Sequence, residues 1–362
     1  MVTRNGRGGH LIEAMAGTAL GAVALAAVWF GAKPIVFGAT PVVHAAATAT
    51  ATAGPPTSAY GASYPASASA LVSSKRPSQI PVLTYHQLNN GCSATAAMCN
   101  RTGTGDEILT TAQLYAEMNY LHEQGYHSIT ASAYLQWAAH KPVLLPSKPI
   151  LLTVDDGIDN FFGAATPVLR HFGYNMVALI VTGFATGAQN GQQPYAGFDA
   201  SWTQLRQLDP SIWNFAFHAG PQGHLDFASR ACPYFYPCQR PGETDGAYQA
   251  RVRADVNAGV SQLQSELPGA ATQMWAVPFN DLAQAPNEQQ SGTEPSTWLP
   301  GYAKQRFAVV FVDGLRPSAN EHYRYEVHGT DSLRDFTTQL NATLAAGSFT
   351  DTSGNSGTAG SD

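Results

Sequence analysis

Short apolar runs alternate with helical patterns from residue 80 to residue 344 of the chain. Runs rich in Val, Ile, Leu and aromatic residues predict strands at 80–86, 126–130, 150–154, 176–182, 213–217, 272–277, 307–312 and 323–327. Apolar positions at helical spacing predict helices at 110–125, 131–139, 161–172, 202–208, 247–267 and 332–344. Strands that alternate with helices need right-handed crossovers, so one α/β domain with a parallel sheet is expected, either a barrel or a doubly wound sheet.

Two aspartates follow the apolar strand at 150–154. Asp155 and Asp156 come directly before Gly157, which allows a sharp turn. Because ligands bind at the carboxyl ends of parallel strands, the pair predicts a site in which one carboxylate binds a metal and the other accepts a proton. The alternative is an ordinary turn in which the aspartates cap the next helix.

Two histidines follow the strand at 213–217. Residues six apart on a helix point about 240° apart, so only the glycine-rich loop between His218 and His224 can bring both imidazoles to one ion. With Asp156 they form a carboxylate and two imidazoles, which suits zinc and leaves a position for water and substrate. Each histidine alone is more often structural, and the combination carries the prediction.

Tyr85 and His86 end the strand at 80–86 in the same way and point toward the same site. A histidine hydrogen-bonded in the core is the alternative for His86.

Composition excludes one class of partner. The net charge of the 362 residues is −6, and no Lys/Arg cluster of the kind that tracks phosphates occurs, so nucleic acid is not an expected partner. The aromatic content of 10% suits a sugar ligand.

The N-terminus has the pattern of a targeting segment. Arg4 and Arg7 precede an uncharged run at 14–32 that stops at Lys33. Residues 1–33 are therefore expected to be a membrane anchor or a signal peptide, cleaved in the second case near 45–47; a core helix is the third interpretation. The protein is expected outside the cell or at its surface, in contact with a membrane only through this segment.

Residues 34–78 are mostly Ala, Thr, Ser, Pro and Gly, which predicts a linker that tethers the folded part, or a disordered stub without a role. Residues 346–362 are expected to be disordered as well. The catalytic domain is thus expected at 79–345.

The four cysteines fall in two close pairs. In an exported protein this spacing favours disulfide bonds from Cys92 to Cys99 and from Cys232 to Cys238. A zinc knuckle is the alternative, although the spacings do not match its usual ligand pattern.

The chain resembles the polysaccharide deacetylases, the NodB-homology or carbohydrate esterase family 4 enzymes, and specifically their poly-N-acetylglucosamine deacetylase-like branch. The resemblance runs from about residue 81 to residue 344. It rests on five segments in order: Pro81-Val-Leu-Thr-Tyr-His86, Leu151-Leu-Thr-Val-Asp-Asp-Gly157, Thr166-Pro-Val-Leu-Arg170, the two histidines with their loop, and Trp275-Ala-Val-Pro-Phe279.

This resemblance implies a distorted (β/α) barrel of about seven parallel strands and a metal-dependent hydrolase of N-acetyl groups on polysaccharide. By position, Asp155 is the general base, and Asp156, His218 and His224 bind a divalent metal, zinc by preference. Contacts with substrate are expected from Tyr85, His86, Trp275 and Pro278.

The motifs depart from the family pattern at several positions. Val154 replaces a Phe, Ala219 replaces a Ser or Thr, and the two histidines stand one or two residues further apart than usual. Ala276 occupies the place of the arginine that pairs with the base in many members, although the branch named above often lacks it.

His328 is the candidate for the group that protonates the leaving amine, and a solvated loop histidine is the alternative. His328 resembles the late catalytic histidine of the family. The segment from Arg324 to Val327 also fits a branch whose last strand begins with arginine and needs no histidine there.

Other functions are compatible with the same motifs. A catalytically weak barrel could bind wall polysaccharide through Tyr234, Phe235 and Tyr236, and a metal-dependent hydrolase could act on another ester or amide.

Overall fold

The computed structural model describes residues 76–89, 107–192, 199–224, 235–236, 239–280, 298–313 and 321–345. Its strands are β1 (Val82–Tyr85), β2 (Gln87–Asn89), β3 (Ile108–Thr110), β4 (His127–Ser128), β5 (Pro149–Val154), β6 (Met176–Val181), β7 (Trp213–Ala219), β8 (Ala271–Ala276), β9 (Val309–Asp313) and β10 (Glu321–Glu326). Its α-helices are α1 (Thr111–Glu123), α2 (Ala131–Ala138), α3 (Asp159–Phe172), α4 (Thr182–Gln189), α5 (Trp202–Gln207), α6 (Asp245–Glu266), α7 (Trp298–Arg306) and α8 (Leu333–Ala345).

Seven parallel strands close into a barrel. They follow one another in the order β1, β5, β6, β7, β8, β9 and β10, and β10 pairs with β1 to complete the circle. The short β4 extends the sheet beside the start of β5, while β2 and β3 form a separate parallel pair. The predicted barrel is confirmed, and its closure makes the doubly wound alternative wrong.

Every strand and helix predicted from periodicity is present, with ends that differ by a few residues. The missed elements carry weak patterns. Two glycines, Gly183 and Gly187, interrupt α4, and Pro300 with Gly301 falls in the first turn of α7. Pro is tolerated there because the first backbone N–H groups of a helix have no intrahelical partner. The pair β2 and β3 has three residues in each strand, too few for a period to show.

Helix α2 closes the end of the barrel opposite the carboxyl ends of the strands. The Ala131 N–H donates to Asn214 Oδ1 at the start of β7, at 3.0 Å. Tyr134 packs against Phe311 and His322, and its hydroxyl lies 2.8 Å from His322 Nδ1. The interior is therefore filled at this end, which leaves the opposite end for a site.

The predicted linker overlaps the folded part by a few residues. Arg76 donates to the carbonyl of Trp137 and lies over its ring, and the carbonyl of Pro77 accepts a hydrogen bond from Trp137 Nε1 at 2.9 Å. The targeting segment at 1–33, the tail at 346–362 and the cysteines 92, 99, 232 and 238 lie outside the described residues. Among the helices that are described, none combines the length and the apolarity that a membrane crossing requires.

Candidate active site

The two aspartates leave β5 with different backbone conformations. β5 ends at Val154, and Asp156 has a φ of 71°, in the left-handed region that Asp tolerates better than most residues. Gly157 follows with a φ of 82°, and its N–H donates to the carbonyl of Asp155 at 2.9 Å. The two carboxylates therefore point to different partners because of this tight turn, and not because of strand alternation, as the sequence pattern had suggested.

Asp156, His218 and His224 converge at the carboxyl end of the barrel. Asp156 Oδ1 lies 3.4 Å from His218 Nε2 and 3.1 Å from His224 Nε2, and all three side chains are buried. One donor atom from each residue lies within 4.8 Å of the others. Donor atoms at about 2.1 Å from one tetrahedral ion stand roughly 3.4 Å apart, so the spacing fits a divalent metal.

The surroundings of each imidazole favour the binding of a metal ion. His218 Nδ1 lies 2.7 Å from the carbonyl of Ala276, so Nδ1 donates to that carbonyl and Nε2 is the nitrogen that faces Asp156. Burial lowers the pKa of His224 despite the neighbouring Asp156, which favours the neutral form that binds metals. The three predicted ligand residues therefore come together with one carboxylate and two imidazoles, a group that could hold a divalent metal ion.

Asp155 is held by an arginine from the last strand of the barrel. Arg324 Nη1 donates to Asp155 Oδ1 at 2.7 Å and Nη2 donates to Oδ2 at 2.9 Å, with both side chains buried. Burial raises the pKa of Asp155, but Arg324 and the nearby histidines lower it more, so the net pKa lies below the ordinary value. Asp155 is therefore a carboxylate at neutral pH.

This pair explains the alanine at position 276. Arg324 supplies from β10 the cation that many family members place at that position, as the arginine alternative for the last strand implies. Asp155 therefore has an arginine partner although position 276 is alanine.

His86 follows β1 and lies beside Asp155. Its Nε2 is 3.9 Å from Asp155 Oδ2 and its Nδ1 is 3.6 Å from Glu326 Oε1. Burial lowers the pKa of His86, but Asp155, Glu107 and Glu326 raise it more, to about 9. The imidazole is thus an imidazolium at neutral pH, beside the carboxylate of Asp155.

Three of the predicted substrate contacts lie in the interior. Tyr85 is fully buried and its hydroxyl donates to Glu117 Oε2 at 3.0 Å, toward α1. Trp275 is fully buried and its Nε1 donates to the carbonyl of His218 at 2.8 Å. Pro278 is also buried. As placed, these side chains support the site from behind and offer no surface to a substrate.

His328 is half-buried just beyond β10. Its backbone N–H donates to Asp331 Oδ2 at 3.2 Å. In the described part of the chain, no hydrogen bond or ion pair connects its imidazole with Asp155 or with the three ligand residues. The structure therefore places His86, and not His328, beside Asp155.

Phe279 is a site residue that the sequence pattern did not single out. It has a φ of 60°, its side chain is 41% exposed, and its ring centroid lies 4.7 Å from that of His224. The only signal was its place at the end of the segment from Trp275. An exposed aromatic ring beside a metal ligand is suited to contact a sugar.

Two of the three aromatic residues proposed for a polysaccharide-binding module lie in the interior. Phe235 and Tyr236 are buried against α6, and Tyr234 lies outside the described residues. This feature gives no support to the binding-module alternative.

The known proteins that are similar to this chain are deacetylases or are named as such. No protein-family model matches the chain. A stretch of 115 residues, 31% of this chain, is 28% identical to the Bacillus subtilis protein YxkH, whose name assigns it provisionally to the polysaccharide deacetylases. The match spans 36% of the length of that relative.

Two solved structures share the barrel. A de-N-acetylase from Aggregatibacter actinomycetemcomitans superimposes with a TM-score of 0.57 and 16% identity, over 72% of this chain and 98% of its own. IcaB from Ammonifex degensii superimposes with a TM-score of 0.50 and 19% identity, over 73% of this chain and 96% of its own. Together with the sequence match, this shared fold confirms the predicted resemblance of the chain to the polysaccharide deacetylases.

Proposed function

We propose that this protein is a metal-dependent hydrolase that removes N-acetyl groups from a polysaccharide built of N-acetylglucosamine, outside the cell or at its surface. The observation that carries the proposal is the convergence of Asp156, His218 and His224 beside a separate, ionised Asp155. The similarity to a de-N-acetylase and to YxkH supports the same class of reaction. The bond broken is the amide C–N bond of the acetamido group, which is not a peptide bond.

Asp156, His218 and His224 would hold the metal. A divalent ion there, zinc by its donor set, would polarise the acetyl carbonyl and lower the pKa of a water molecule. The protein's own contribution is orientation: the carbonyl of Ala276 fixes the tautomer of His218.

Asp155 is placed to accept the proton of the attacking water. Its carboxylate is ionised, and Arg324 fixes both oxygens so that the acceptor does not rotate away. A positioned base of this kind contributes about 10²- to 10⁴-fold in rate. Arg324 thus keeps the base charged and oriented, and Asp155 keeps a separate role from its neighbour.

His86 is placed to protonate the leaving amine. When the C–N bond breaks, the nitrogen must receive a proton, and an imidazolium 3.9 Å from Asp155 can give it. The products are acetate and a free amine. Among the described residues the imidazole of His86 lies beside Asp155, and no hydrogen bond or ion pair connects that of His328 with Asp155.

The two aspartates give the decisive experiment. Asp155→Asn should keep nearly full metal affinity and lose about 10²- to 10⁴-fold in acetate release, because the base acts only in the reaction. Asp156→Asn should lose the metal and regain part of its activity when metal is in excess, because mass action offsets a binding defect. Metal content and acetate release from N-acetylglucosamine polymers are measured on both variants.

Metal-stripped and metal-restored wild-type protein is the control for this comparison. Equal metal loss in both variants would mean that the carboxylates share the ion and that the separate roles are wrong. Full activity in both variants would remove the pair from the reaction altogether.

A further inference from the structure

The loop that carries His224 is fastened to helix α6 by one buried carboxylate. The N–H of Gln222 donates to Asp255 Oδ1 at 2.8 Å. The hydroxyl of Tyr236 donates to Asp255 Oδ2 at 2.7 Å and accepts a hydrogen bond from the N–H of Gly220 at 2.9 Å. Asp255 and Tyr236 thus bind the backbone of the loop at two points between the two histidine ligands.

The loop can pack this closely against α6 and Tyr236 only because it contains glycine. A Cβ atom at Gly220 would collide with the carboxylate of Asp255, and one at Gly223 would collide with both Asp255 and the Tyr236 hydroxyl. On the helix side, a Cβ atom at Gly259 would stand 2.5 Å from the Cα of Gly220. The backbone of the loop therefore lies directly on α6 and the Tyr236 ring, without room to shift.

The burial of Asp255 has to be offset by hydrogen bonds. Asp255 is 7% exposed, and burial raises its pKa while the hydrogen bonds from Tyr236 and from the loop backbone lower it. Burying a charge is costly unless it is hydrogen-bonded, and the hydrogen bonds of Asp255 go to the loop and to Tyr236. The hydrogen bonds of the Asp255 carboxyl group therefore fix the conformation of the loop.

The same network reaches the other imidazole. The Tyr236 ring packs edge-on against Trp275, with centroids 5.4 Å apart, and Trp275 Nε1 donates to the carbonyl of His218. Both histidine ligands are thus supported by one continuous group of buried side chains.

We infer that Asp255 and Tyr236 are positioning residues that hold His224 in its metal-binding orientation. The inference rests on the proposed function, since it assigns these residues a role toward the metal held by Asp156, His218 and His224. The two side chains act through the loop backbone and contact neither metal nor substrate. Removal of such an outer partner typically weakens metal affinity by about 10- to 100-fold.

The test measures metal affinity in the full-length protein. Zn²⁺ binding to metal-stripped wild type, Asp255→Asn and Tyr236→Phe is measured by competition with a chromogenic chelator, and the Co²⁺ absorption spectrum reports the ligand geometry. Both variants should bind Zn²⁺ about 10- to 100-fold more weakly than wild type. Because the two residues act as a unit, the double variant should lose little more than either single variant.

Glu117→Gln is the matched control. Glu117 is also a buried carboxyl group that accepts a hydrogen bond from a tyrosine, but its partner is Tyr85, and no hydrogen bond connects it with the described residues of the loop. This variant should keep the wild-type Zn²⁺ affinity and Co²⁺ spectrum. If Asp255→Asn does not yield folded protein, Tyr236→Phe carries the test alone.

The outcomes separate the two proposals. Wild-type protein that binds no metal overturns the proposed function and this inference with it. Wild-type protein that binds Zn²⁺ while Asp255→Asn and Tyr236→Phe bind equally well overturns the positioning role alone. An equal loss of affinity in Glu117→Gln would also overturn it, because the effect would then be a general loss of stability.

Discussion

The sequence predicts four residues of the candidate site, but it does not predict that Arg324 is the partner of Asp155. Asp155, Asp156, His218 and His224 each follow an apolar run, so parallel strands must bring them to one end of the sheet. Arg324 lies in the middle of an aromatic and charged strand, and its choice of Asp155 depends on the register of β10 against β1. A sequence alone does not fix that register.

The direction in which each side chain of β1 points is also absent from the sequence pattern. Alternation distinguishes an apolar face from a polar one, but β1 is buried on both faces. The pattern therefore could not show that Tyr85 points to α1 and Glu117 while His86 points to the site.

The ion pair of Asp155 and Arg324 gives a prediction at this scale. Arg324→Met removes the cation that lowers the pKa of Asp155, so burial raises that pKa. With metal in excess, the acidic limb of the kcat/KM profile should move to higher pH, and kcat/KM at pH 7 should fall at least about tenfold. An acidic limb at the wild-type position would contradict this role.

Stability provides an independent check on the same pair. Removal of one member of a buried ion pair costs about 3 to 5 kcal/mol, so Arg324→Met should unfold at lower denaturant. The double variant with Asp155→Asn removes both charges of this pair, leaves neither of them unpaired and should recover part of the loss.

At the scale of elements, helices with a clear apolar period were predicted, and helices with glycine or proline in them were not. α3 presents Phe161, Ala165, Val168 and Phe172 to the core at helical spacing. α4 has too few large apolar residues and two glycines, so only its packing between α5 and α6 makes it a helix. Tertiary contacts of this kind have no trace in local sequence.

Helix α2 covers His322, and the burial of this histidine predicts how stability depends on pH. Burial lowers the pKa of His322 to about 3, from an ordinary value of 6.5. Below about pH 6.5 the unfolded chain binds a proton at this residue and the folded protein does not. The contribution of His322 to stability is therefore lost progressively as pH falls from about 6.5 toward about 3.

His322→Asn should make this decline shallower, by up to about 1.4 kcal/mol per pH unit, because Asn takes up no proton. Urea unfolding of both proteins at pH 7, 6 and 5 measures the difference in slope. Equal slopes would show that the α2 end of the barrel admits a proton in the folded state.

At the scale of the whole molecule, closure of the barrel is what makes the site. The proposed metal ligands follow or end β5 and β7, Arg324 beside the proposed base comes from β10, and His86 follows β1. β1 pairs with both β5 and β10, so the base on one side and its arginine on the other meet across it. An open sheet with the same strand order, broken between β1 and β5 or between β1 and β10, would separate Asp155 from Arg324, so their pairing depends on closure of the barrel.

The extent of the folded unit gives the last prediction. Arg76 and Pro77 contact Trp137 of α2, and Gln79 Nε2 donates to the carbonyl of Thr343 in α8 at 2.6 Å. A chain that begins at Arg76 should therefore keep the thermal stability and the acetate release of the full-length protein on soluble oligosaccharides.

A chain that begins at Ile80 lacks these contacts, although the predicted domain boundary at 79 would keep it nearly intact. The lost hydrogen bonds and the cation–π contact are worth about 1 to 2 kcal/mol together, which lowers the Tm of a domain of this size by roughly 2 to 4 °C. Because the site lies at the other end of the barrel, kcat/KM should stay close to that of the longer chain. Melting curves and acetate release are compared for the two truncated chains and the full-length protein. Equal Tm values for the two truncated chains would show that residues 76–79 contribute nothing and that the boundary belongs at residue 80; a loss of activity in the chain beginning at Arg76 would show that the preceding segment takes part in function and is more than a tether.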